Sequence, residues 1–187
     1  GGQPKTFARE AFKIIVDIDS EELYKQWVIP DMPVCSDLKV FLDSINDQFN
    51  FSCHSAILNF TDWHDLCLKW KNKYPAVLPE YHSQSGSVNS YVFIEALSEK
   101  LSPDSIIIAD TGGTLTWTIQ GFKIKSGQQL FSAFGNSPMG YALPAAIGAA
   151  FANPEANIIC IIGDGGLQIN IQDLETIQHH QLPIKIF

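Results

Sequence analysis

The chain has no cluster of basic residues. Twelve Lys and Arg stand against twenty Asp and Glu, a net charge of -8, which argues against a nucleic-acid binder or a protein seated on an anionic membrane. It has no C-x-x-C pair either. Cys35, Cys53, Cys67 and Cys160 lie far apart, so no zinc site or disulfide scaffold is indicated, and reduced thiols in a cytoplasmic protein are expected. No apolar run approaches the ~20 residues needed to span a bilayer, and Gly1-Gly2-Gln3-Pro4 does not open a signal peptide. An initiator Met is missing, and the chain stops at Phe187 inside the apolar run Leu182-Pro-Ile-Lys-Ile-Phe187. The expectation is a piece of a longer protein, cut at the start of a strand. What is present is a chain of 187 residues, 45% hydrophobic and 17% charged, able to bury a core. A small ligand is the expected partner. If it is anionic, backbone donors or a metal ion must hold it, because the overall field does not attract it.

Apolar periodicity organises the chain into three parts. Residues 1–48 read as the tail of an α/β unit: Lys13-Ile-Ile-Val-Asp17-Ile-Asp19 as a strand, Ser20 onward as a helix start, and an Asp or Ser cap at Val34-Cys-Ser-Asp37 before the stripe Leu38, Phe41, Leu42, Ile45. Residues 49–86 read as a helix carrying Trp63, Leu66, Trp70 and Tyr74 on a packed face, then a linker rich in Pro and Ser. His64 and His82 have no second ligand at metal spacing and read as surface or core residues. From 87 to 187 helices alternate with apolar runs: Val88 to Leu101 a helix, Ser105 to Asp110 a strand, Leu143 to Phe151 a helix, Asn157 to Ile162 a strand. That alternation predicts a parallel sheet covered on both faces, with ligands at the carboxyl ends of its strands.

Two loops fall at those ends, Asp110-Thr-Gly-Gly113 and Gly163-Asp-Gly-Gly166. Glycines directly after a buried strand let backbone amides approach an anion. A carboxylate in the same turn repels a bare phosphate, so Asp164 suits a divalent cation that also binds phosphate oxygens. The alternative is a tight turn in which Asp164 caps the next helix. Upstream, Gly135-Asn-Ser-Pro-Met139-Gly140 is a glycine-bounded loop leading into a helix of small residues, which permits close approach to a cofactor or simply close helix packing. Gly135-x-x-x-x-Gly140 lacks the Lys-Ser/Thr of a P-loop, and Gln168 breaks a G-x-G-x-x-G fingerprint.

Taken together, Phe134-Gly-Asn-Ser-Pro-Met139-Gly140-Tyr-Ala-Leu-Pro-Ala-Ala-Ile-Gly-Ala-Ala150, Ile162-Gly-Asp164-Gly-Gly, Asn170-x-Gln172-Asp-Leu-x-Thr-Ile177 and Leu182-Pro183 resemble the C-terminal cofactor domain of thiamine diphosphate enzymes. The subgroup is that of acetolactate synthase and pyruvate oxidase. Lys13 to Lys25 resembles the end of the central domain of the same enzymes. The resemblance implies a Rossmann-like three-layer α/β domain at 87–187, preceded by a piece of a second α/β domain. It implies that Asp164 ligates Mg2+, with Asn170 or an Asn pair beyond Phe187 completing the shell. Gly163, Gly165 and Gly166 would contact the diphosphate, Thr111, Gly112 and Gly113 would line its other side, and Met139 would lie under the cofactor's rings.

The implied activity is that of a lyase or transferase on a 2-keto acid: decarboxylation, then carboligation or acyl transfer. The full-length protein would be a homodimer or homotetramer. A catalytic Glu on the missing N-terminal domain would leave this piece inactive alone, and FAD on the central domain remains open. Acetolactate synthases usually show a Gly-Gln-His-Gln type stretch after the strand where this chain reads Asp110-Thr-Gly-Gly-Thr-Leu-Thr-Trp117, so the donor and acceptor stay open within the 2-keto acid class. Two other readings stand beside this one. Val16-Asp17-Ile-Asp19 with Ile162-Gly-Asp164 superficially matches a phosphatase of the haloacid dehalogenase type, although Glu21 and Gln168 depart from its pattern. A non-catalytic homologue that keeps the fold is the other.

Overall fold

The computed structural model describes residues 3–25, 27–52 and 60–187; Gly1, Gly2 and Cys53 lie outside the described residues. In the N-terminal part, β1 (Ile14–Asp17) pairs in parallel with β2 (Met32–Cys35). Between them lies α1 (Ser20–Leu23), a single turn whose cap is Asp19, accepting the Glu21 N–H. The next helix, α2 (Leu38–Ser52), starts where Asp37 Oδ1 accepts the Lys39 and Val40 amides at 2.9 and 3.2 Å. Of the two capping residues offered by the sequence, Asp37 is therefore the one used. A further helix, α3, spans Thr61–Lys73. The chain divides into two compact units, residues 1–65 and 66–187. Trp63, Leu66, Trp70 and Tyr74, spaced along α3, are 36–66% exposed rather than buried; periodicity marks which side chains share a face, not how deeply that face is buried.

The C-terminal unit is a four-stranded parallel sheet in the order β4-β3-β5-β6, with β3 Ser105–Ala109, β4 Gln129–Phe131, β5 Asn157–Ile161 and β6 Lys185–Ile186. The terminal apolar run thus forms a strand, as expected. Before β3 comes α4 (Ser90–Lys100), capped by Asn89. Its last carbonyls are answered by Lys125, whose Nζ donates to Glu99 and Leu101 at 2.8 and 2.7 Å. Two elements had no strong sequence signal: α5 (Gly113–Gly121), rich in Thr and Gly, and the three-residue β4. The small-residue segment is α6 (Ala142–Ala152), with α7 (Asp164–Ile169) and α8 (Asp173–His179) after β5.

Strand alternation sorts the core into two layers. Ile106, Ile108, Ile158, Cys160 and Ile162 face α6, where Ala142, Leu143, Ala146 and Ala150 are at most 3% exposed. Ile107, Ile159 and Ile161 face the other way, onto Ile94 and Leu101. The sheet is therefore covered on both faces, the three-layer α/β architecture the apolar runs predict. Most of the small side chains of α6 serve close packing on this sheet.

Replacing Ile159, which has no exposed surface, by Ala is expected to cost about 2–5 kcal/mol, read as a lower urea midpoint. Burial, and next the neighbouring Asp110 carboxylate, push the Cys160 thiol up to about 12, so it stays protonated near neutrality. Iodoacetamide at pH 8 should alkylate exposed Cys35 in the native protein and reach Cys160 only after denaturation, as followed by peptide mass spectrometry.

Candidate functional site

The strand order places the site. From β3 the chain leaves through α5 to β4 on one side. It then returns through α6 to β5, beyond β3, and continues to β6 on the opposite side. The direction of strand addition reverses between β3 and β5, and a crevice opens at such a reversal, at the carboxyl ends of the two strands. Those ends carry Asp110-Thr111-Gly112-Gly113 and Gly163-Asp164-Gly165-Gly166.

At the end of β3, Asp110 continues the ladder by donating its N–H to the Ile161 carbonyl at 2.8 Å. Its carboxylate is buried, with the residue 2% exposed, and accepts the amides of Gly140 and Ala142 at 3.0 and 3.4 Å. Asn170 holds the other side of the same turn, its Nδ2 donating to the Gly140 carbonyl at 2.7 Å. Gly140 has φ +85°, and a Cβ there would sit 2.8 Å from Asn170 Nδ2 and 3.2 Å from the Gly166 carbonyl. Only glycine suits both the backbone conformation and the space. Thr111 Oγ1 and Ser137 Oγ lie 2.5 Å apart, and Ser137 holds φ 46°. The loop before α6 is thus anchored to β3 at two points.

The second loop closes on the first. A Cβ at Gly166 would lie 2.0 Å from Asp110 Oδ2, and one at Gly165 would lie 3.0 Å from Met139 Cε. Met139 is 54% exposed, an apolar side chain held out at the crevice. Asp164 is the first residue of α7 and not its cap; the cap position is Gly163, and the first bond of the helix runs from Leu167 N–H to the Gly163 carbonyl. The capping role considered for Asp164 is therefore not seen. Its carboxylate is exposed and has no hydrogen-bond or ion-pair partner among the described residues. Gly112 (φ +74°) precedes α5, and a Cβ at Gly113 would meet the Trp117 ring at 2.8 Å.

The fold thus brings Met139 to Gly165, the Gly140 turn to Gly166 and Asn170, and Thr111 to Ser137 in the same loop. Asp110 is the residue that motif reasoning missed as a participant. Its signal was a carboxylate placed directly after the apolar run Ile106–Ala109 of a buried strand, where an acid must find donors. His179 and His180 are exposed. Among the described residues no group of three or more His, Cys, Asp or Glu is gathered as a metal cage, and no helix is long and apolar enough to cross a membrane. With the Asp110 carboxylate committed to backbone amides, Asp164 is the carboxylate left unpaired beside the glycine cradle. That donor set suits an Mg2+ ion whose remaining ligands come from phosphate oxygens, water or residues outside this chain.

Residues 110–187 match the family described as thiamine pyrophosphate enzyme, C-terminal TPP binding domain. Over the whole chain, the acetolactate synthase large subunit of Cyanidium caldarium is 36% identical across 187 residues, 100% of this chain and 31% of that protein. The large subunit of Lactococcus lactis subsp. lactis (strain IL1403) is 33% identical over 183 residues, covering 98% and 30%. The chloroplastic acetolactate synthase of Arabidopsis thaliana is 32% identical over 185 residues, covering 99% and 27%. The chain spans under a third of the length of these curated relatives. Residues 110–187 therefore belong to the family of thiamine pyrophosphate enzyme C-terminal TPP binding domains, and the chain as a whole is similar to acetolactate synthase large subunits.

Proposed function

We propose that the crevice between β3 and β5 holds thiamine diphosphate and Mg2+, and that the protein containing this chain acts on a 2-keto acid. One observation carries the reading: the Gly163–Gly166 loop and the Met139-Gly140 turn, 23 or more residues apart in sequence, meet at the reversal of strand order with the Asp164 carboxylate unpaired beside them. When bound, thiamine diphosphate supplies a nucleophilic carbon that adds to a 2-keto acid, lets CO2 leave and passes the remaining acyl unit to an acceptor.

This chain's residues would bind and orient. Asp164 supplies a hard oxygen ligand for Mg2+. The amides of Asp164, Gly165 and Gly166 precede the first helix bond and have no backbone acceptor among the described residues, leaving them available to phosphate oxygens. On the other side Gly112, with open space where a Cβ would stand, leaves the backbone bare. Met139 offers a flexible apolar surface against which aromatic rings can rest. Asn170 commits its Nδ2 to Gly140, so any role at the metal would fall to its Oδ1.

Turnover would need an acid on a domain outside this chain, contributed within a homodimer or homotetramer, so this piece alone would be inactive. The free thiols Cys35, Cys67 and Cys160 suit a reducing compartment such as the cytoplasm. The substrate stays at the level of the 2-keto acid class. At Gly113 the Trp117 ring takes the space a side chain would need.

The phosphatase reading loses its support in the same geometry. Asp17 Oδ1 accepts the Asp19 amide and Asp19 Oδ1 accepts the Glu21 amide, so both acids serve a turn and a cap.

Calorimetric titration of the full-length protein with thiamine diphosphate and Mg2+ should give metal-dependent binding. Asp164→Ala should weaken it by at least about a hundredfold, beyond the ~10–100-fold typical of losing a residue that only orients a metal ligand. Equal binding with and without Mg2+, or by D164A, would sink the assignment. Release of CO2 from a panel of 2-keto acids then separates an enzyme from a silent homologue: an active protein decarboxylates at least one of them, a silent one none.

A further inference from the structure

Asp110 has no part in the chemistry described above, yet it touches both loops assigned to the cofactor. On one side its carboxylate accepts the Gly140 amide at 3.0 Å and the Ala142 amide, at the start of α6, at 3.4 Å. On the other side it lies flat against the backbone of Gly166, where a Cβ would come within 2.0 Å of Oδ2 and 3.2 Å of Cγ. Immediately beside these contacts, Met139 and Gly165 face one another, Met139 Cε lying 3.0 Å from the Gly165 Cβ position. No Lys, Arg or His among the described residues forms an ion pair with Asp110. Its buried charge therefore depends on backbone amides and on the amino end of α6. Hydrogen bonds to a buried charged group are strong and directional. The Met139-Gly140 turn consequently has one favourable position, set by the end of β3, and Gly166 can approach that carboxylate only because it lacks a side chain.

We propose that Asp110 is a positioning residue: its carboxylate holds the Met139-Gly140 turn at a fixed distance from the Gly163–Gly166 loop, and so sets the width of the gap that receives the cofactor. This rests on the thiamine diphosphate reading. Asp110 acts through Gly140 and Gly166 and touches no reacting atom. Asn at position 110 would preserve shape while turning an amide NH2 toward one of the two backbone donors, so at least one hydrogen bond is lost.

The test compares the wild-type full-length protein with D110N, G166A and, as a packing control on the opposite face of β3, Ile107→Val. Hydrogen exchange is measured without cofactor, thiamine diphosphate and Mg2+ binding by calorimetry, and melting temperature by circular dichroism. In D110N the Gly140 amide should exchange about tenfold faster or more, and cofactor affinity should fall about tenfold or more, the scale expected for one lost hydrogen bond to a charged group. I107V should lower the melting temperature and leave affinity unchanged. Should D110N fail to fold, G166A decides on exchange alone, because its methyl must push the carboxylate away from Gly140. Unchanged Gly140 exchange in whichever variant folds overturns the proposal, as does an affinity loss in I107V equal to that of D110N. If the wild-type protein itself binds no cofactor, the thiamine diphosphate reading has failed. If both wild type and D110N bind equally, Asp110 alone has been misjudged.

Discussion

A buried carboxylate with no cation beside it must be met by hydrogen-bond donors, and at Asp110 those donors come from a segment thirty residues away. That requirement ties the end of β3 to the turn at Gly140. The same carboxylate then presses on Gly166, so three segments remote in sequence share one small volume. The left-handed backbone at Gly140, the Asn170 amide on its carbonyl and the bare backbone of Gly166 all follow from fitting chain around that single charge. Stability and site geometry are therefore linked: the contacts that satisfy the acid are also the contacts that bring Met139 to the Gly163–Gly166 loop.

The sheet supplies the platform for this arrangement. The five residues of β3 are all buried, as are all but the first of β5, and their two faces are filled by separate apolar layers. Such strands leave polar chemistry only at their ends. Because the order reverses between β3 and β5, the chain leaves those two ends toward opposite faces of the sheet, and the space between them stays open to a ligand. The alanine-rich face of α6 lets the helix lie close to the sheet, which keeps its first residue, Ala142, within reach of Asp110.

Much of this was legible in the sequence, because uninterrupted Ile and Ala runs have few alternatives to buried strands and glycine after such a run has few uses. The strands at Ser105 and Asn157, the loops after them and the Met139-Gly140 segment were all visible this way. The reading missed α5, whose Thr and Gly residues carry little helical signal and which is helical because it packs on α4 and β3. It also missed β4, held in only three residues by pairing with β3. The aromatic spacing of α3 marked side chains that share a face, but not how far that face is exposed. Asp110 escaped notice as a participant for a different reason: its partners are backbone amides, and backbone amides have no sequence signature. Met139 facing Gly165 was likewise beyond any local pattern.

The central claim is that Asp164 binds the metal that anchors the cofactor. It is tested most directly by a crystal structure of the full-length protein grown with thiamine diphosphate and Mn2+ in place of Mg2+, with the ion located by its anomalous scattering. The account predicts a peak on the Asp164 carboxylate, shared with diphosphate oxygens at Gly165 and Gly166. Cofactor bound with the manganese peak away from Asp164, or no peak at this crevice at all, would contradict it.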